Sequence, residues 1–264
     1  MLIMKLHVWL TWKNKVNIRN IPEYELARLR EKAKEINGSP TDYENEYSTL
    51  LTRRLNHEPL QYIEEFVPFY TIQLKVDQRC LIPRPETEYL IELIKENTEP
   101  SKGILDIGTG SGCIALMMKV LFPDVEVSGI DISQEALSIA IENAQLNSIP
   151  VNFYQSDLLE NVKTKSVDLI IANLPYIPQD NLDDLDKEVI DYEPLIALNG
   201  GVDGLEIISR LIQQIESNDL TNLTLCLEID STKSKQTLDL LADWKDVKLL
   251  KDLAERDRYV FATR

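Results

Sequence analysis

The run Ile104-Leu105-Asp106-Ile107-Gly108-Thr109-Gly110-Ser111-Gly112-Cys113 restricts the fold more than any other stretch of the chain. A short apolar strand leads into a turn with glycine at every second position, and the apolar helix Ile114-Ala115-Leu116-Met117-Met118 follows. Glycines in such a turn let the backbone adopt conformations a Cβ forbids and come close to a ligand. Strand, glycine turn and helix in that order form the first unit of a doubly wound sheet, whose ligands bind outside the carboxyl ends of the strands.

The rest of the chain agrees. After Pro100 strand and helix patterns alternate, which predicts an α/β fold with a mostly parallel sheet covered on both faces. Seven strand candidates are visible, at 103–107, 125–130, 151–154, 169–172, 223–229, 247–250 and 259–263. Upstream, Phe66, Phe69-Tyr70, Ile72, Leu74 and Val76 alternate as in a hairpin. Leu90, Ile91, Leu93 and Ile94 then mark a helix over 86–96. Between Pro22 and Arg54 the text is polar, with Leu26, Leu29, Ala33, Ile36, Tyr47, Leu50, Leu51 and Leu55 at helical intervals and a break at Gly38-Ser39-Pro40. A chain of 264 residues can bury one α/β core and add a small second domain. The expected division is a mainly helical domain over 1–64, a linking hairpin over 65–80 and a catalytic domain over 81–264.

The glycine spacing narrows the ligand. A dinucleotide fingerprint is G-x-G-x-x-G, with a pyrophosphate at the helix N-terminus. Here the spacing is G-x-G-x-G, and Asp106 stands before the first glycine, where a carboxylate suits a cationic amino group. S-adenosylmethionine carries such a group and a pyrophosphate does not. The next strand closes on Gly129-Ile130-Asp131, and an acid there can accept both hydroxyls of a ribose. The third closes on Ser156-Asp157-Leu158, where Asp157 suits the exocyclic adenine amine and Leu158 the face of its ring. An Asp at such a point is also an ordinary cap or turn former. Expected cofactor contacts are therefore Asp106, Gly108, Thr109, Gly110, Ser111, Gly112, Asp131, Asp157 and Leu158, with Asn173 beside them. A nicotinamide-binding turn or a purely structural one is the alternative.

The fourth strand ends Ala172-Asn173-Leu174-Pro175-Tyr176-Ile177, at the position where a doubly wound sheet opens its crevice. An amide or aniline-like nitrogen is a poor nucleophile because its lone pair is delocalised. The Asn173 side-chain oxygen and the Leu174 carbonyl can each accept one N–H of an NH₂ group, orienting it and stabilising the positive charge that develops as it attacks a methyl group. Tyr176 can pack on a planar acceptor and Pro175 stiffens the turn. Asn and Pro are also routine in ordinary turns.

Taken together, the glycine motif, Asn173-Leu174-Pro175-Tyr176, Leu81-Ile82-Pro83-Arg84-Pro85-Glu86-Thr87-Glu88 and Glu193-Pro194-Leu195-Ile196-Ala197-Leu198-Asn199-Gly200-Gly201-Val202-Asp203-Gly204-Leu205 resemble the protein-(glutamine-N5) methyltransferases that modify peptide-chain release factors. Fainter echoes are Glu58-Pro59-Leu60-Gln61-Tyr62-Ile63 and Asp252-Leu253-Ala254-Glu255-Arg256-Asp257-Arg258. The resemblance runs from about residue 53 to the C-terminus. It implies a class I methyltransferase sheet of seven strands, S-adenosylmethionine as cofactor, and methylation of the glutamine in the Gly-Gly-Gln loop of a release factor. Cofactor contacts would fall at Gly108 to Gly112, Asp131 and Leu158, with Asn173, Leu174, Pro175 and Tyr176 around the substrate glutamine. The segment 22–54 would occupy the place of the family's partner-gripping helical domain. The family usually has Pro-Pro where this chain has Leu174-Pro175; a contact made through the carbonyl survives that change. Leu158 stands where an aromatic ring is sometimes found, and residues 1 to about 50 match nothing recognisable.

Charge and composition bound the competing readings. A net charge of −16 disfavours a surface that tracks a phosphate backbone. That counts against an adenine-N6 methyltransferase of rRNA or DNA, although Asn-Leu-Pro-Tyr also suits an adenine amine. A methyltransferase of a ribosomal-protein glutamine and a catalytically silent cofactor-binding scaffold are the other readings. His7 and His57 are too far apart for a triad or metal site, and Cys80, Cys113 and Cys226 read as buried thiols of a reducing compartment. Asp180, Asp183, Asp184, Asp186 and Glu188 read as a solvated loop, and Lys13, Lys15, Arg19, Arg53 and Arg54 as surface charge. The apolar opening Met1 to Leu10 is interrupted by Lys5 and His7, with no cleavage site, so no metal, no membrane and a cytoplasmic location are expected.

Overall fold

The computed structural model describes residues 21–36, 40–160, 162 and 166–264. The apolar opening and Lys13, Lys15 and Arg19 lie outside them. The chain divides into two compact units, Met1–Glu64 and Glu65–Arg264.

The first unit contains α1 (Glu23–Ile36), α2 (Pro40–Leu55) and α3 (Leu60–Glu64). Leu26, Leu29 and Ala33 of α1 recur every three or four residues and so share one helix face. They close on Tyr47, Leu50 and Leu51 of α2 and on Leu60 and Ile63 of α3, giving this unit a core of its own. Arg54 donates to Glu25 at 2.6 Å, and both side chains are largely buried.

The second unit opens with β1 (Phe66–Phe69) and β2 (Ile72–Lys75), paired antiparallel with Phe66 opposite Lys75. Then come α4 (Pro85–Asn97), β3 (Gly103–Ile107), α5 (Cys113–Leu121), β4 (Glu126–Asp131), α6 (Gln134–Asn147), β5 (Asn152–Gln155) and β6 (Leu169–Ala172). After a long turn region that holds the single-turn helix α7 (Lys187–Ile190), the chain continues with α8 (Glu206–Ser217), β7 (Thr224–Glu228), α9 (Ser234–Leu240), β8 (Lys245–Lys251) and β9 (Asp257–Thr263). Seven strands form one sheet in the order β5-β4-β3-β6-β7-β9-β8. Only β9 runs against its neighbours, as the last strand of the chain folded back between β7 and β8.

The expected α/β fold is what the chain adopts. Every residue of β3 and β6 is buried, because helices cover both faces of the sheet there and leave no solvent side for alternation. The strand order reverses between these two strands: from β3 the chain steps outward to β4 and β5, then returns to β6 on the other side of β3. Ile107 is paired with Ala172, so the residues that follow both strands emerge side by side. Strands β4 and β5 sit one residue later than their alternation suggested, which puts Asp131 and Gln155 on the last rungs of the ladder.

Candidate active site

The turn after β3 is built on left-handed glycines. Gly108, Gly110 and Gly112 have φ of 71°, 54° and 82°. The amides of Gly108 and Thr109 both donate to the Ile130 carbonyl at 2.9 Å, tying the turn to β4. Gly112 starts α5 where a Cβ would come within 3.1 Å of Ala140 and 3.2 Å of the Phe153 ring, so its glycine character serves helix packing. It is not among the residues that line the cleft beside it.

Asp106 differs from its expected role. The side chain is 1 % exposed and stands behind the turn, outside the cleft lining. Its Oδ2 accepts the Thr109 hydroxyl at 2.6 Å and the Ala115 amide at 3.1 Å, which locks the glycine turn against the first turn of α5. Its Oδ1 has no hydrogen-bond partner among the described residues. Burial pushes this carboxyl up to about 7, against the pull of the two donors. A charged residue just before the first glycine looks like a ligand contact in sequence, but the tightness of the turn swallows it.

Asp131 keeps its expected place. Its Oδ2 accepts the Gly110 amide and its Oδ1 the Ser133 amide, each at 2.9 Å, and both oxygens retain a further lone pair. Burial raises its pKa and the amides oppose that. The carboxylate borders a cleft of about 440 Å³, a size ordinary for a small-molecule site. Gly108, Thr109, Gly110 and Ser111 form one wall of the cleft, and Asp157 and Leu158 lie on it as well. Leu158 has φ of 50° and is 6 % exposed, so its side chain forms a dry patch of wall. Open turns, a carboxylate with free lone pairs and an apolar side suit a ribose and an adenine ring.

Across the strand reversal stand the residues after β6. Asn173 is half-buried, and Leu174 and Pro175 border the same cleft. A Cβ on Gly108 would lie 3.0 Å from the Leu174 side chain, so the two turns touch. The Asn173 amide nitrogen donates to the Thr87 hydroxyl at 3.2 Å, and that hydroxyl donates to Glu228 at 3.0 Å. The Asn173 oxygen has no partner among the described residues. Tyr176, expected to meet a planar acceptor, is not among the residues that border the cleft and packs on the sheet's core; burial raises its phenol to about 12, helped by the charge of Glu228.

Residues 85–191 match the methyltransferase small domain family. The release factor glutamine methyltransferase of Thermodesulfovibrio yellowstonii is 41 % identical over 217 residues, covering 80 % of this chain and 78 % of its own. That of Lactococcus lactis is 40 % identical over 225 residues, covering 83 % of each chain. The chain belongs to the release factor glutamine methyltransferase family. Among solved structures, an E. cuniculi complex responsible for methylation of the eRF1 termination factor superposes with a TM-score of 0.50 at 23 % identity, over 70 % of this chain and 99 % of that one. A T. thermophilus 16S rRNA methyltransferase in complex with AdoMet and guanosine gives 0.55 at 14 % identity, over 75 % and 49 %. At such identities the likeness is one of fold, and it is the methyltransferase fold.

Asp157 pairs with Arg210 at 2.7 Å, and both border the cleft; an arginine 53 positions away carried no sequence signal. The Gly200-Gly201-Val202-Asp203-Gly204 stretch, singled out only by resemblance, is the bed of the Asn173 turn. A Cβ on Gly200 would lie 2.7 Å from the Tyr176 Cα, and one on Gly204 would lie 2.3 Å from the Tyr176 carbonyl. Across the same contact the Gly200 amide donates to the Ile177 carbonyl at 2.8 Å and the Ile177 amide to the Leu198 carbonyl at 3.1 Å. Glu193, 5 % exposed, accepts from Arg84 at 2.5 Å and from the Ile82 amide at 3.2 Å, joining the two segments that flank the cleft. Among the described residues no group of three His, Cys, Asp or Glu could hold a metal ion, and no helix is long and apolar enough to cross a membrane.

Proposed function

We propose that the chain transfers the methyl group of S-adenosylmethionine to the side-chain amide nitrogen, N5, of the glutamine in the Gly-Gly-Gln loop of peptide-chain release factors. The observation that carries this reading is the Asn173 carboxamide, fixed through its nitrogen with its oxygen unpartnered beside the cleft. Such an oxygen is an acceptor waiting for an N–H.

S-adenosylmethionine, when bound, supplies an electrophilic methyl group on a sulfonium. Gly108 to Ser111 would lie along it, Asp131 would accept the ribose hydroxyls, and Asp157 and Leu158 would take the adenine amine and ring. Asn173 and the Leu174 carbonyl would each accept one hydrogen of the glutamine NH₂. That pair of bonds aims the nitrogen and offsets the positive charge it acquires, without a strong base. Once methylated, the cationic nitrogen is acidic enough to lose its extra proton to water. The unit Met1–Glu64 would grip the release factor, and the site of action would be the cytoplasm, where release factors work. A net charge of −16 suits a protein substrate better than a nucleic acid.

Asn173→Ala is expected to lower methyl transfer by on the order of 100-fold or more, with cofactor affinity within a few-fold of wild type by calorimetry. Asp131→Ala is expected to show the opposite balance, with weakened cofactor binding. A large and equal loss of cofactor binding in Asn173→Ala contradicts the role given to it.

A further inference from the structure

Thr87 and Glu228 lie 141 positions apart in the chain, yet they meet beside Asn173, where Thr87 also borders the cleft. Thr87 sits in the first turn of α4 and is 2 % exposed; Glu228 ends β7 and is 2 % exposed. A glutamate at the close of a buried strand is costly unless something is gained from it. Among the described residues the one hydrogen bond of its side chain is with the Thr87 hydroxyl. Burial pushes Glu228 up to about 7, with Thr87 and then Arg258 holding it down, and the Thr87 hydroxyl donates to it.

The chemistry of these three groups fixes a direction. A carboxylate can only accept, so the single hydroxyl proton of Thr87 goes to Glu228. The threonine oxygen is then left with lone pairs alone to offer Asn173. A carboxamide meets an acceptor with its NH₂ end, which turns its oxygen away from Thr87 and leaves it free to accept at the cleft that Asn173 borders. Without that chain the amide could flip by a half-turn and present donors to a substrate NH₂, which would repel it.

We propose that Thr87 and Glu228 are positioning residues for methyl transfer: the chain Asn173 to Thr87 to Glu228 holds the Asn173 oxygen toward the acceptor amide. This rests on the reading of Asn173 given above. Its role is distinct from simple packing, because a packing role needs only the threonine's shape, while the relay needs its hydroxyl.

The test uses the full-length enzyme at pH 8 with S-adenosylmethionine and an intact release factor, comparing Thr87→Val, Thr87→Ser, Glu228→Gln and Asn173→Ala, with the Tm of each. Thr87→Val, nearly the same in shape, is expected to lower kcat by on the order of 10- to 100-fold, while the KM for release factor and the Kd for cofactor stay within about 3-fold. Thr87→Ser restores kcat to within about 3-fold of wild type, and Glu228→Gln, which can present either a donor or an acceptor to Thr87, falls between. A folded Thr87→Val with wild-type kcat overturns the relay, as does a Thr87→Ser as slow as Thr87→Val. Should Thr87→Val not fold, a folded Thr87→Ala with wild-type kcat overturns it, since that variant also lacks the hydroxyl. If Asn173→Ala itself remains active, the underlying reading of the site fails instead.

Discussion

Asp106 and Asp131 close adjacent, paired strands and face the same glycine turn, yet they serve different ends. Asp131 meets backbone amides on one side and the cleft on the other. Asp106 is sealed in, with one oxygen unpartnered. That burial has a consequence for stability. The folded protein holds the Asp106 proton up to about pH 7, while the unfolded chain releases it near its ordinary value of 3.8. The native state therefore binds more protons between those limits, and stability falls as pH rises through the window, by up to about 1.4 kcal/mol per pH unit from this group. Asp106→Asn removes the titration. Urea midpoints at pH 5 and pH 8 are expected to diverge less in the variant than in wild type; an unchanged divergence counts against burial as the cause. At this scale the sequence was readable where a residue acts with its neighbours. Asp131 and Asn173 follow strands and sit beside the cleft as their positions implied. Asp106 instead meets Thr109 and Ala115, and spacing alone cannot tell a carboxylate facing a ligand from one facing its own turn. Thr87 and Glu228 were invisible as a pair, since only the α4–β7 packing brings them together.

Between elements, the Asn173 turn depends on the loop beneath it. Pro175 and Tyr176 lie against Gly200 and Gly204, with no room for a side chain on either glycine. Gly204 also has φ of 80°. Gly204→Ala combines a strained left-handed backbone with a Cβ 2.3 Å from the Tyr176 carbonyl. The expected cost is about 2–3 kcal/mol, seen as a lowered Tm, together with slower methyl transfer as the turn shifts; a variant with wild-type Tm and kcat contradicts this account of the loop. Strand and helix positions were legible because apolar periodicity reports burial on one face or two. The long region between β6 and α8 has no such period, and its segments are held by backbone bonds and by Glu193, which local sequence does not announce.

Across the whole molecule, the two units each bury their own apolar residues, Met1–Glu64 around Leu29 and Leu50, Glu65–Arg264 around the sheet. In our proposal this separates recognition from chemistry: the helical unit selects the protein that delivers the glutamine, and the sheet unit carries the methyl donor and the Asn173 turn. The net charge of −16 is consistent with a partner met through shape and local contacts more than through a phosphate backbone. The most direct test of this account is to incubate the full-length protein with methyl-labelled S-adenosylmethionine and a release factor, or with naked rRNA, and to map the label by mass spectrometry. The account predicts label on N5 of the glutamine in the Gly-Gly-Gln loop and none on rRNA; label found only on adenine would contradict it.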